Sequence, residues 1–263
     1  MAPDDVHEVY ALKYGQLDTG VRGHYFHGTA GDPHDEPMRL DYYVWLVRGS
    51  GHDIVVDTGF TRATAARRER TIMRSPAEAL TSIGVDVGRV PLVILSHMHY
   101  DHVGDVEPFS GARFVIQDSE MAFWTGRHLS RQEFRRLVEI EDLTALIRLN
   151  FEGRVLFVDG VCELVPGVTV HHVGGHTAGL QVVRVNTAAG PVVLAADAAH
   201  FYANIEQDAP FGIVTDLAQM YRAFDTLRSL AVSPRYIVPG HDPLVLERFA
   251  PVDGQPGLSV RIA

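Results

Sequence analysis

Residues 96–105 read SHMHYDHVGD, which places His97, His99, Asp101 and His102 within six positions, directly after the apolar run PLVIL. In extended backbone, residues two apart face the same side, so His97 and His99 can grip one ion together. Asp101 and His102 follow where the chain turns and can face a second ion. Imidazole and carboxylate without thiolate suit zinc, with manganese, iron or cobalt as alternatives. Four ligands are too few for two ions. The chain offers three more side chains in matching settings: His176 in GGHTAG, Asp197 in LAADAAH and His241 in VPGHD. Each follows an apolar, strand-like run and stands beside Gly or Ala, where backbone can come close to a metal site. His128, His171 and His172 read instead as solvated or hydrogen-bonded histidines.

These residues need rigid strand ends to hold them. DYYVWLV and HDIVVDTG, joined by RGSG, read as a hairpin that follows a short opening segment and a Gly/Pro/Asp/His-rich stretch at 23–37. Ser75-Pro76-Ala77-Glu78 has the form of a capping box with proline at the first helical position, starting a helix that runs to about Ile83 and stops at Gly84. Strands are expected at 91–95, 113–117, 155–158, 168–173, 180–185 and 192–197, with YIVPG as the strand that delivers His241. Residues 119–149 read as mostly helical, and 216–231 as an amphipathic helix with its stripe on Leu217, Met220, Phe224, Leu227 and Leu230. Strands fall into two groups, each interrupted by helices, and the strand count is too high for a plain doubly wound sheet. Two packed sheets with helices outside, in a single domain spanning 1–263, fit this order.

A formal net charge of −10 argues against nucleic acid or an anionic membrane surface as partner, since both would repel the chain on approach. No apolar run nears the roughly 20 residues that span a bilayer. The lone Cys162, in VCELV, reads as a small buried side chain. With one cysteine and no basic-then-apolar opening segment, the expected compartment is the cytoplasm. Oligomeric state is not legible.

Together, VVDTG at 55–59, SHMHYDHVGD, GGHTAG, AADAAH and PGHD, in this order and spacing, resemble the metallo-β-lactamase superfamily over residues 40–245. The resemblance implies an α+β fold, the αββα sandwich, with a dinuclear metal site at one edge of the two sheets. It implies that His97, His99 and His176 bind the first ion, that Asp101, His102 and His241 bind the second, and that Asp197 bridges them. Asp57 would orient ligands from behind. Fold alone does not select the reaction. Flavodiiron oxidoreductases usually carry Glu where this chain has His99, RNA-processing branches prefer a basic surface, and the basic C-terminal segment of glyoxalase II-like enzymes is missing from HDPLVLERFAPVDGQPGLSVRIA.

Within the superfamily, the stretches from Gly175 through HTAGLQ and from Asp197 through DAAHFYANIEQDAPFG resemble the N-acyl-homoserine lactone lactonases and related small-lactone hydrolases. The implied reaction is ester opening by a hydroxide shared between two ions, with Asp101 and Asp197 in the catalytic centre. Thioester, cyclic amide or β-lactam hydrolysis on the same site is the alternative, and a non-catalytic metal-binding protein is a third reading. One departure stands out. Those lactonases place a tyrosine three residues after the bridging aspartate, and this chain has His200 there; His200 is expected to act as a neutral hydrogen-bond donor to the carbonyl or leaving oxygen, with Tyr202 as the substitute hydroxyl. Gly174 stands where proline is usual. The pocket walls are expected from 23–37 and 119–149, which offer Tyr25, Phe26, Phe123 and Trp124 to a small lactone or ester substrate.

Overall fold

A computed structural model describes residues 6–29, 31, 35–49 and 51–263. Among the described residues fourteen strands run in chain order: β1 Glu8–Leu17, β2 Leu40–Gly49, β3 His52–Val56, β4 Thr71–Ile72, β5 Leu92–Ile94, β6 Arg113–Gln117, β7 Val155–Val158, β8 Val161–Val165, β9 Val168–His172, β10 Gln181–Thr187, β11 Gly190–Ala196, β12 Ile237–Pro239, β13 Ala250–Pro251 and β14 Ser259–Arg261. They form two sheets. One runs β13-β14-β1-β2-β3-β5-β6-β7, with β4 paired to β1 off this path; the other runs β12-β11-β10-β9-β8.

The layering follows from residues buried on both faces of a strand. In β2, Tyr42, Val44 and Leu46 pack outward under helices together with Val93, Leu95 and Phe114. The alternate residues Tyr43, Trp45 and Val47 pack inward against Val168, Val183, Val192 and Leu194 of the second sheet. That sheet's outer face, including Val182, Val193 and Ile237, is covered by Met220, Ala223, Phe224 and Leu227 of the helix Leu217–Leu230. Asp216 caps this helix, its Oδ1 accepting from Gln219 N at 2.8 Å. Helices therefore sit on both outer faces of two stacked sheets, the expected αββα sandwich. No helix among the described residues is long and apolar enough to cross a membrane.

Several expected elements are adjusted. The capping box forms, with Glu78 N donating to Ser75 Oγ and Ser75 N to Glu78 Oε2, but the helix closes at Thr81. Leu217 is exposed and Ala223 buried, so the stripe of the 217–230 helix is narrower than the apolar spacing suggests. Residues 119–149 break into Asp118–Trp124, a short 3-10 turn, Gln132–Arg135 and Ile140–Phe151. The opening segment, which carries no strand in the sequence reading, is the ten-residue β1, held between β2 and β14. Cys162 lies half-buried on β8 at the sheet edge, not in the core.

Topology places the loops that matter on one edge. β3 and β5 run parallel with Val56 opposite Ile94, so Asp57 and the segment from Ser96 leave their strands side by side. In the second sheet β11 and β12 are also parallel, with Ala196 opposite Pro239, which brings Asp197 next to Gly240 and His241.

Candidate metal centre

Asp197 is the hub. Its Oδ2 lies 3.1 Å from His176 Nε2 and 3.5 Å from His97 Nε2, while its Oδ1 lies 2.9 Å from His241 Nε2 and 3.2 Å from His102 Nε2. His99 Nδ1 sits 3.0 Å from His176 Nε2, and Asp101 Oδ2 is 3.8 Å from both His102 Nε2 and His241 Nε2. The structure thus gathers all seven residues singled out as ligands. They divide into two groups, His97, His99, His176 and Asp197 on one side and Asp101, His102 and His241 on the other, and a third set, Asp197, His200 and His241, joins the two.

Each imidazole is aimed by a bond on its other nitrogen or by its neighbours. Asp57 Oδ2 holds His102 Nδ1 at 2.7 Å, Asp41 O accepts from His241 Nδ1 at 2.9 Å, and Ile213 O accepts from His176 Nδ1 at 2.7 Å. Ser96 Oγ stands 3.0 Å from His97 Nδ1. Because a carbonyl oxygen only accepts, the proton of His176 and of His241 belongs on Nδ1, which leaves Nε2 as a lone pair directed at the cluster.

Charge follows burial. Burial and neighbouring imidazoles hold His97 and His99 well below the ordinary histidine pKa, so they are neutral and able to ligate. In His102 and His241 burial is again the largest single effect and acts downward, but the carboxylates facing them together outweigh it and raise both: Asp197, Asp57 and Asp101 for His102, Asp197 and Asp101 for His241. Asp197 is desolvated too, yet the imidazoles around it hold its carboxyl well below the usual range. An anion ringed by histidines, with His97 Nε2 and His102 Nε2 buried and lacking any hydrogen-bond partner among the described residues, is a donor set that fits divalent cations.

Asp57 is fully buried and holds φ at +62°, where a non-glycine residue is strained. Three contacts keep it there: Ser96 N to Oδ1 at 2.7 Å, Ser96 Oγ to Oδ2 at 2.8 Å and His102 Nδ1. Asp57→Asn is expected to lower metal affinity about 10- to 100-fold with the fold retained, because an amide grips the ring less firmly. Competition titration against a chromophoric chelator reads this directly, and an unchanged affinity would remove Asp57 from the site.

A residue absent from the sequence reading ties the ligand loops together. Glu120, fully buried in the first turn of the helix Asp118–Trp124 that follows β6, accepts from Met98 N at 2.9 Å, Trp124 Nε1 at 2.7 Å, Thr177 Oγ1 at 2.8 Å and Gly179 N at 2.7 Å. Met98 lies between His97 and His99, and Thr177 follows His176, so one carboxylate braces both loops. The 174–179 loop has its own requirement. Gly174 has φ +63°, which proline cannot adopt, so the path of this loop excludes the proline usual in the lactonases. A Cβ on Gly175 would lie 2.7 Å from Met220 backbone.

His200 joins the cluster from the side, Nε2 3.0 Å from Asp197 Oδ2, with its ring stacked flat on Phe211 at 3.3 Å between centroids. Burial drives its pKa down to about 3. A neutral imidazole has one proton, and the carboxylate can only accept, so that proton lies on Nε2 and is given to Asp197. The expected donor to a substrate oxygen is instead bonded to the hub.

The aromatic pocket residues scatter. Tyr202 is buried between the sheets beneath the Arg248 guanidinium, 3.6 Å from its ring centroid. Residues 200 to 202 do not continue as a strand, because a helix, Tyr202–Glu206, begins there, and the hydroxyl is carried away from the cluster. Trp124 is fully buried and meets His99 edge to face at 5.3 Å, forming a floor under the ligand, not a wall. Phe123 stacks on His128 instead. Phe26 is buried beside a neighbouring groove, while Tyr25 lines both that groove and the cavity above the cluster. Tyr42, Tyr100, Arg70 and Phe211, none of them foreseen as walls, also line that cavity, whose volume is about 150 Å³. Tyr100 stands within the histidine motif itself, between the ligands His99 and Asp101, and that position signals its place in the lining.

Residues 38–241 match the metallo-beta-lactamase superfamily. The chain belongs to that superfamily. It is similar to an N-acyl homoserine lactonase of Bacillus sp, 28% identical over 222 residues that cover 77% of this chain and 82% of the relative. It is also similar to N-acyl homoserine lactonase AiiB of Agrobacterium fabrum, 31% identical over 66% of this chain and 63% of that one. Among solved structures, an N-acyl homoserine lactone hydrolase with N-hexanoyl-L-homoserine at its catalytic metal center superposes with a TM-score of 0.72 at 22% identity, covering 90% of this chain and 94% of that one. This metallo-β-lactamase superfamily member is a hydrolase whose His/Asp cluster is suited to divalent metals.

Proposed function

We propose that this superfamily member opens the ester bond of a small lactone, using two divalent ions, zinc first among them, held by His97, His99 and His176, by Asp101, His102 and His241, and by Asp197 between them. The observation that carries this reading is the division of Asp197's two oxygens between two sets of imidazoles at the base of a cavity. Relatives named as N-acyl homoserine lactonases support it. When bound, the ions would polarise the ester carbonyl and make hydroxide available near neutral pH.

The chain's own residues supply position. Asp197 keeps the two halves of the cluster in register, and Asp101 leaves its carboxylate toward the cavity on the His102 and His241 side. His200, by donating to Asp197 Oδ2, fixes that oxygen and acts as a positioning residue. His200→Ala is expected to lower kcat about 10- to 100-fold. His200→Gln, whose amide can still donate, should recover part of that loss. Equal rates in wild type and His200→Ala would discard the role.

The reading is tested by proton release in a pH-stat with protein of known metal content. The panel comprises γ-lactones with short and long acyl chains, a thioester and a β-lactam, each repeated after chelation. Chelator-sensitive lactone opening is the expected result. Turnover of the thioester or lactam alone would reject the lactonase reading.

A further inference from the structure

The lining of the cavity above the metal cluster runs against the composition of the chain. On a protein of net charge −10, it carries Arg68, Arg70 and Arg136, and its only carboxylates among the described residues, Asp101 and Asp197, belong to the candidate ligand set. The three arginines are not equivalent. Arg68 is committed: Nε lies 2.6 Å from Glu139 Oε1, Nη1 and Nη2 donate to the carbonyls of Arg136 and Val138, and the guanidinium lies over the Tyr100 ring. Arg136 is exposed and meets Glu133 at the surface. Arg70 is half-buried and has no carboxylate partner among the described residues. Its Nε donates to Tyr100 Oη at 3.1 Å and its Nη1 to Arg68 O at 2.7 Å, and Nη2 has no acceptor there.

Arg70 is also firmly placed. Its backbone N bonds Ala65 O at 2.9 Å, and it immediately precedes β4, which is paired to β1. A partly desolvated guanidinium with one unused donor edge costs stability unless a counter-anion meets it. The residue lines both the metal cavity and the neighbouring groove of about 520 Å³, so a group bound there lies between the reacting ester and the outside.

We infer that the substrate carries a carboxylate of its own, received by Arg70, with Arg136 adding positive charge at the mouth. This rests on the lactonase reading above. One guanidinium edge matches a monoanion, whereas a dianionic phosphate would call for more donors than Arg70 has left. In the reaction, water adds across the ring C–O bond: the hydroxyl goes to the carbonyl carbon and the proton to the leaving oxygen. The product is a hydroxy acid bearing two carboxylates, with one proton released at neutral pH. The upstream reaction must therefore deliver an acidic lactone, and the downstream one must accept a hydroxy-dicarboxylate.

The test compares γ-butyrolactone carrying a ring carboxylate with its carboxamide isostere and its phosphonate analogue, on metal-loaded wild type, Arg70→Gln and Arg70→Lys of matched metal content. Wild type is expected to favour the carboxylate over the carboxamide by about 10- to 100-fold in kcat/KM, mainly through KM. Arg70→Gln should erase that preference, and Arg70→Lys should keep part of it. A role for Arg70 only in holding Tyr100 would change rates without changing this ratio. Calorimetric binding of a hydroxy-dicarboxylate against its monoamide gives a second readout that needs no turnover. Equal use of carboxylate and carboxamide by wild type, a ratio unmoved by Arg70→Gln, or preference for the phosphonate would overturn the proposal. If no lactone reacts, the lactonase reading falls, and Arg70-dependent binding of the dicarboxylate still decides this one.

Discussion

Asp197→Asn is expected to lower hydrolysis by at least about 10³-fold and to reduce bound metal below two ions per chain, in a protein that still folds. The substitution changes almost no volume but replaces one acceptor oxygen with an amide donor. In the wild-type geometry Oδ2 faces His97, His176 and His200, and Oδ1 faces His102 and His241, at 2.9 to 3.5 Å. Whichever way the amide turns, its NH2 points at imidazole nitrogens that should present lone pairs to a cation. Changes to residues one step removed from a metal cost about 10- to 100-fold, and this one touches both halves of the cluster at once. Metal content by elemental analysis and initial rates on the best lactone of the panel are the measurements. Thermal unfolding in chelator separates them from any folding defect. A variant holding two ions and turning over at the wild-type rate would show that Asp197 is a bystander and that the division of its oxygens has no chemical meaning.

The sequence made some of this site legible because its ligands are dense. Four metal-binding residues of two types fall within six positions after an apolar run, and His176, Asp197 and His241 each follow a strand and stand beside a small residue, so each can be found from local pattern alone. Parallel pairing of β3 with β5 and of β11 with β12 then brings those strand ends to one edge. What stayed hidden depends on contacts distant in the chain. β1 owes its place to β2 and to β14, with Tyr10 opposite Arg261, and its pairing with β2 is interrupted by a register shift between Lys13 and Gly15 that blurs a simple alternation. Tyr202 lies close enough to Asp197 in the chain to offer its hydroxyl, but the helix that begins there carries it away from the cluster. Arg70 reads as one more surface charge in RRERT until β4 pins it at the cavity.

Glu120 is the clearest case of a function no local pattern could reveal, and Glu120→Ala carries the largest expected stability loss, about 3 to 5 kcal/mol. An acid near the start of a short helix reads as a solvated residue favoured by the helix dipole. Here it has no exposure at all. Burial raises its pKa, while the donors from Met98, Thr177, Gly179 and Trp124 oppose that shift and satisfy both oxygens. Removing the carboxylate leaves two backbone N–H groups, a hydroxyl and an indole N–H buried without an acceptor, and each such orphan costs about 1 to 3 kcal/mol before the loops relax. Relaxation is the functional consequence. Freed from Glu120, Met98 and Thr177 no longer hold His97, His99 and His176 in one place, so metal affinity should fall along with stability. Urea unfolding of the chelated protein reports the first effect, and metal titration of Glu120→Gln the second. Glutamine keeps one acceptor oxygen for the backbone donors but sets an NH2 against the others, so it should be less destabilised than Glu120→Ala while still binding metal more weakly than wild type. If Glu120→Gln matched wild type in both measurements, the brace between the two ligand loops would be dispensable, and the rigidity of the site would have to come from Asp57 and from the carbonyls that aim His176 and His241.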